Sequence, residues 1–187
     1  MVVAEAAHLA GLRIAGFFDD RIDAVIEIGD VRIPRLGPLD DLSAAADHHC
    51  IVALGDISAR RSLIKTLGAP LASVIHPNAF VSPTATIGDG VFIGPGAIVH
   101  SRAHVSDHAI INTGAIIEHD CRIGENAHVA PGATLGGAVE IGDDTLVGLG
   151  SRVLPGVKIG RRCTVGAGAV AAKDIGDSLT VRGVPAT

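Results

Sequence analysis

The sequence predicts a chain in two parts: an α/β segment over residues 1–70 and a parallel β-solenoid of triangular coils over residues 71–187. Three observations carry this. From Ile75 to Val165 every sixth residue is aliphatic, running Ile75, Val81, Ile87, Ile93 and onward to Ile159 and Val165. Two places before most of these stands a small residue, as at Ala79, Ala97, Ala103, Cys121 and Ser151, and one place after often stands glycine, as at Gly88, Gly94, Gly124 and Gly136. The first seventy residues lack that period and instead alternate aliphatic runs ending in acids or glycine with helix-forming stretches.

In chain order, residues 2–10 (VVAEAAHLA) read as a helix and LRIAGFFDD as a strand ending in acids. CIVALGD reads as a strand ending in a glycine turn, and ISARRSLIKTLG as the helix that follows it, which is α/β punctuation. A helix this early should follow a strand, so the α/β piece is expected to be truncated at its start. A boundary falls between Pro70 and Pro77.

From there the six-residue period decides the fold. Neither a helix, with its period of 3.6, nor a flat strand, with its period of 2.0, returns a side chain to one face every six residues. A two-residue strand plus a corner does, and three such hexads close a coil of eighteen. Stacked coils bury one continuous aliphatic column, and no coil is stable without its neighbours. The small residue fits the corner, and the glycine after the aliphatic is expected to serve a turn with positive φ. The register runs through sixteen hexads from Ile75 to Ala171 without insertion, so about five coils stack at about 4.8 Å per layer.

Composition narrows the function. The chain has 187 residues, 48% of them hydrophobic, which is ample for a core. A net charge of −5, four Phe and no Trp or Tyr leave neither a basic footprint nor stacking aromatics for nucleic acid. No run of eighteen apolar residues is present and the start lacks a basic region, so no membrane insertion and no secretory signal is expected. Cys121 and Cys163 fall at the small corner position. All three cysteines read as reduced, and the compartment as cytoplasmic.

The block NTGAIIEHDCRIGENAHVAPGATLGGAVEIGDDTLVGLGSRVLPGVKIG, set in this period, resembles the left-handed β-helix acyltransferases. Within them it is similar to the sialic acid O-acetyltransferase and nucleotide-aminosugar N-acetyltransferase proteins. GFFDD, ALGD and the closing VRGVPAT fit the same resemblance, which spans nearly the whole chain. It implies a Rossmann-like N-terminal piece that holds a nucleotide sugar, ahead of a left-handed parallel β-helix. Family members open with a strand and a glycine loop ending in Gly-His, and this sequence begins inside the helix after it. The resemblance further implies acetyl-CoA as co-substrate, no metal, and a homotrimer with its clefts between adjacent prisms. It makes His119 the general base and Asp120 its tuning partner, sets His128, Leu149 and Ala167 along the coenzyme, and puts Asn112 with the acceptor.

Coil arithmetic bears on the same residues. Positions eighteen apart stack, so His119 lies above Ser101 and below Gly137. The glycine is expected to leave the space beside the imidazole open and to expose its N–H to a developing oxyanion. A carboxylate next to an imidazole orients it and favours its protonated form, which makes it a stronger base. Asp120 stands where relatives carry the longer Glu. Asp19, Asp20 and Gly55 fall at strand ends, where α/β folds bind nucleotides.

Plainer readings stand beside these: His119 as a solvated surface histidine, Gly137 as a turn residue, the acids as loop solubility. A zinc site of the γ-class carbonic anhydrase type is the rival chemistry. His100, His104 and His108 are four apart, a helical spacing that scatters them over different hexad positions. The activity expected is N-acetylation of a nucleotide-linked amino sugar of bacterial surface glycan synthesis. O-acetylation of a sugar hydroxyl competes with it, as does a non-catalytic prism that only binds a nucleotide sugar.

Overall fold

The computed structural model describes residues 1–45 and 47–187. Between Val74–Ile75 and Thr180–Val181 the chain winds through two-residue strands that stack as three parallel sheets, of seven, six and five strands. Partners lie eighteen residues apart: His104 opposite Arg122, Ile110 opposite His128, Ile116 opposite Thr134. This is the left-handed parallel β-helix. The longest face exceeds the five layers read from the repeat: six strands from Val74–Ile75 to Thr164–Val165 stack at a spacing of eighteen, and Thr180–Val181 adds a seventh at a spacing of sixteen.

The sixth-residue series points inward. Ile93, Val99, Val105, Ile111, Ile117 and Ile123 are fully buried, and each such side chain contributes about 1.5–3 kcal/mol on leaving water. Ile75 departs from the expectation, being 38% exposed. It sits in the outermost strand, paired on one side only with Phe92–Ile93, so no coil lies beneath to cover it. Corner residues Ala97, Ala109, Cys121 and Ala127 are buried as expected. Thr145 and Ser151 are tolerated at that position because their hydroxyls donate to the Gly160 and Gly148 carbonyls at 2.7 Å.

The glycine that follows many of the aliphatic residues is there for a different reason than turn geometry. At Gly142 a Cβ would stand 2.6 Å from the Arg161 nitrogen and the Gly160 carbonyl carbon of the next coil. Glycine is required by close coil-to-coil approach, and the left-handed backbone falls two residues later, at Gly90, Gly96, Arg102, His108, Gly114 and Asp120 in steps of six.

The N-terminal segment is sparser than expected. The helix α1, Val2–Leu9, lays Ala6 and Ala7 against Val74, Phe92 and Ile110 on the seven-stranded face. Phe17–Phe18 pairs in parallel with Arg35–Gly37, and Ile26–Ile28 forms a hairpin with Val31–Ile33. A 3-10 helix spans Leu39–Ala45. The strand expected over CIVALGD does not form: Cys50 makes a single bridge to Leu71, and Ile51–Asp56 has no strand partner among the described residues. With two helices and two two-stranded sheets, no doubly wound sheet is present among the described residues.

The second helix, α2, Ile57–Thr66, is capped by Asp56, whose Oδ1 accepts from the Ala59 N–H at 2.7 Å. It leans on a solenoid corner. Arg61 binds Glu125 at 2.5 Å and Asp144 at 2.8 Å, and Asn126 Nδ2 donates to the Ile57 carbonyl at 3.1 Å. Arg60 is 1% exposed and donates to the His108 carbonyl, while its Nε and Nη1 have no partner among the described residues. Burial pulls its pKa down to about 10. The His108 ring is buried under the same helix, and burial lowers its pKa too.

Replacing Ile123 by Val should cost about 0.5–1.5 kcal/mol, and Gly142→Ala about 1–3 kcal/mol because backbone must shift; urea unfolding checks both. Equal stability of Gly142→Ala and parent would refute the close-approach explanation. His108 and His128, both held below the ordinary histidine value by burial, give the pH dependence its sign. The unfolded chain takes up protons as pH falls through about 6.5 while the folded chain resists, so stability present above that pH is lost below it. Thermal melts at about pH 7.5 and about pH 5.5 should fall apart less in His108→Asn than in the parent.

Candidate active site

His119 sits on the corner between the six-stranded face, which ends in Ile116–Ile117, and the five-stranded face, which resumes at Arg122–Ile123. Its backbone is pinned from above and below. The Asp120 N–H donates to the Ser101 carbonyl at 3.0 Å, and the His119 carbonyl accepts from the Ala138 N–H at 2.8 Å. Asp120 takes φ of 62°, a left-handed conformation that Asp tolerates better than most residues. That backbone turns its carboxylate beside the ring, and His119 Nδ1 lies 2.8 Å from Asp120 Oδ2. The shorter Asp therefore reaches the imidazole.

Gly137 stacks on this histidine as coil arithmetic requires, but the space is not left open. A Cβ there would stand 2.6 Å from Cε1 and 2.7 Å from Nε2, so the ring itself occupies the volume that a side chain would need. The Nε2 edge faces the Gly137 backbone, and the Gly137 N–H makes no hydrogen bond among the described residues. His119 is 58% exposed at its side chain.

Sequence reasoning missed Arg102. It forks onto Asp120, Nε to Oδ1 at 2.7 Å and Nη2 to Oδ2 at 2.8 Å. The signal was available, since Arg102 lies eighteen residues before Asp120. The guanidinium first, and then His119, hold the Asp120 carboxyl well below the usual carboxylate range.

A second group lies apart. Asn112 Nδ2 donates to His128 Nε2 at 3.0 Å, while Asn112 Oδ1 accepts from the Thr113 N–H at 2.8 Å. With Nε2 accepting, the ring proton is assigned to Nδ1, which is buried without a partner among the described residues. Burial lowers the His128 pKa, the Arg60 charge adds to this, and the Gly55 backbone opposes it. Leu149, 59% exposed, and the exposed Ala167 stack eighteen apart on the corner between the seven- and six-stranded faces. Asn112 opens that same corner two coils below. Within one chain the six-stranded face separates Asn112, His128, Leu149 and Ala167 from His119, Asp120 and Gly137.

Asp19 and Asp20 meet neither group by side chain, whereas Gly55 lies beside His128 by its backbone. Asp19 Oδ1 accepts from the Arg21 N–H at 2.9 Å, which with the Arg21 side chain lowers its pKa. Asp20 Oδ1 accepts from the Leu39 N–H at 2.9 Å at the start of the 3-10 helix. Both acids thus have local structural partners. Gly55 faces open space, with nothing within 4 Å of a Cβ placed there.

His104 projects from the five-stranded face, His108 is buried under α2, and His100 packs against Phe80. No group of three or more His, Cys, Asp or Glu gathers as metal ligands among the described residues. All three cysteines are free, and burial pushes the Cys121 thiol up, away from a nucleophilic thiolate. No helix among the described residues is long and apolar enough to cross a membrane.

Residues 1–67 match the PglD N-terminal domain and residues 70–165 the GMPPB C-terminal domain. PerB from Caulobacter crescentus, solved in complex with CoA and GDP-perosamine, is 36% identical, with 100% of this chain and 90% of that chain covered and a TM-score of 0.91. The acetyltransferase domain of PglB from Neisseria gonorrhoeae FA1090 is 35% identical over 100% of this chain and 92% of that one, also at 0.91. WeeI from Acinetobacter baumannii AYE is 28% identical over 96% and 89%, with a TM-score of 0.83. The Caulobacter enzyme has also been solved, again with CoA and GDP-perosamine, with one histidine replaced by asparagine or by alanine. Comparison with curated proteins gives no match. The whole length of the chain is covered by enzymes of one kind, and it belongs to the left-handed β-helix, hexapeptide-repeat acetyltransferases of the nucleotide-aminosugar N-acetyltransferase group.

Proposed function

We propose that this protein transfers acetyl from acetyl-CoA to the amino group of a nucleotide-linked amino sugar, in bacterial surface glycan synthesis. One observation carries the reading: His119 is tied through Nδ1 to Asp120, and its Nε2 edge packs where a Gly137 side chain would stand, on a residue whose N–H makes no hydrogen bond among the described residues. This adjacency supports His119 as the base and Gly137 as the oxyanion donor. His119 Nε2 takes the proton of the amine as nitrogen bonds to the thioester carbonyl carbon, and the Gly137 N–H donates to the carbonyl oxygen as it gains charge. The carbon–sulfur bond then breaks and the thiolate leaves, taking from His119 Nε2 the proton that came from the amine. Asp120 keeps the ring oriented throughout.

Leu149 and Ala167 fit the coenzyme's arm, since an exposed apolar side chain and a small one stacked on one corner form an apolar rail. Asn112 and His128 would meet the acetyl end and the acceptor near it. We read residues 1–70 as a Rossmann-like nucleotide-sugar-binding unit, with Asp19, Asp20 and Gly55 near the nucleotide, and residues 71–187 as the acetyltransferase unit. Support comes from the match of residues 1–67 to the PglD N-terminal domain. We also propose a homotrimer. The six-stranded face that parts the two groups carries exposed Phe80 and Leu154, and apolar surface of this kind suits a closed ring of copies. There one copy's His119 would meet the next copy's Asn112 and His128. Free thiols fit a cytoplasmic setting.

His119→Ala should lower kcat by a factor of about 10²–10⁴ with coenzyme A binding nearly intact. Asp120→Asn, which keeps the ring, should do less. Kinetics with GDP-perosamine and related aminosugar nucleotides check this, and near-parental activity of His119→Ala would remove it as the base. Light scattering should return three copies of the 18.9 kDa chain. Co-expressing His119→Ala with His128→Ala chains should restore part of the activity, because mixed trimers contain some intact sites. A fully active monomer would defeat the shared site.

A further inference from the structure

We infer that Arg102 is a positioning residue for the transfer: it clamps Asp120 so that the carboxylate fixes the His119 ring while its own charge is offset. Two neighbouring corners build the arrangement. Arg102 and Asp120 both take left-handed backbone, φ of 57° and 62°, so their side chains leave successive coils in the same direction. The guanidinium then reaches both carboxylate oxygens at 2.7 and 2.8 Å, and Oδ2 is shared with His119 Nδ1 at 2.8 Å. Arg102 is itself anchored, its N–H donating to Thr84 Oγ1 at 3.1 Å, which lies 3.0 Å from Ser82 Oγ. A vertical chain of polar contacts thus runs from Thr84 through Arg102 and Asp120 to His119.

An exposed ion pair contributes little to stability, and this one is exposed, with Arg102 at 66% and Asp120 at 38%. Its value lies in geometry. A planar fork allows the carboxylate one orientation, where a single contact would leave it free to rotate. It also sets charge. A lone carboxylate beside an imidazole favours the protonated ring, which cannot act as a base, and a guanidinium on that carboxylate opposes this effect. The coil below faces the pair with Ser101 and Arg102, the coil above with Gly137 and Ala138, and the coil itself carries Glu118 and Arg122 on either side. Of these, Arg102 and His119 are the groups that act on the Asp120 carboxylate.

The inference rests on the proposal that His119 is the base, and the test separates the two. Parent, His119→Ala, Arg102→Met and Arg102→Lys are compared as full chains for kcat and KM across about pH 5.5–9, with thermal melts alongside. Arg102→Met should lose about tenfold in kcat with the KM for acetyl-CoA unchanged, and the acid limb of its kcat/KM profile should move to higher pH. Arg102→Lys should return the limb to its parental position, since the charge is back, but recover only part of kcat, since a point charge cannot fork. If Arg102→Met melts too low to assay, Arg102→Lys alone decides, by a lowered kcat on an unmoved limb. An inactive His119→Ala beside an Arg102→Met that superimposes on the parent would overturn the role of Arg102 and leave His119 standing. An active His119→Ala would overturn both.

Discussion

One constraint organises this molecule: each coil must lie directly on the coil eighteen residues before it. The Arg122 N–H donates to the Val139 carbonyl at 2.9 Å, as Ile116 donates to Ala133 and Ile110 to Ala127, so the strand backbone is satisfied between layers. A strand of two residues could not persist alone. The stack makes such strands viable by pairing each on both sides and by threading one aliphatic column through all layers. The exceptions prove informative at the ends, where Ile75 is left half-covered for want of a lower neighbour.

Because the constraint is arithmetic, much of it was legible in the sequence. The period placed Ile117 and Ile123 inside, and it stacked His119 on Gly137 before any geometry was known. The same count would have found Arg102, but a single arginine on a prism corner carries no sign that it leans toward the next coil. Glycines at Gly142 and its equivalents were visible and misassigned. Sequence reports that a side chain is forbidden, whereas only the coil-to-coil distance reports that the obstacle is backbone and not φ. The N-terminal segment was least legible: CIVALGD has every local mark of a strand, yet strands need partners, and partners are a tertiary fact.

Two outward-pointing histidines ended in opposite surroundings. His119 is exposed and backed by a carboxylate at Nδ1, with its Nε2 edge packed on Gly137. His128 is largely enclosed, near the buried Arg60, with Nε2 occupied by Asn112. Period puts His128 on a strand, one step before inward Val129, and His119 in a turn, two steps past inward Ile117, but it does not report which of them is covered. What separates them is what lies against the face: α2 and its loop cover one, and solvent covers the other. A fold with uniform coils obtains chemical variety by what it docks on its faces.

The interlayer origin of the Arg102, Asp120, His119 and Gly137 arrangement bears on how such a protein can change length. Gain or loss of a whole coil above Gly137 leaves all four residues in register, while a single inserted residue between Arg102 and Gly137 rotates every later side chain to a different place on the prism. Tolerated indels within the stack should therefore come in blocks of eighteen, with smaller ones confined to the ends. The closing turn fits that rule, its strand pairing at a spacing of sixteen only above the last full layers, at Thr164 and Thr180. Evolutionary drift in this solenoid would be quantised in its interior and continuous only at its cap.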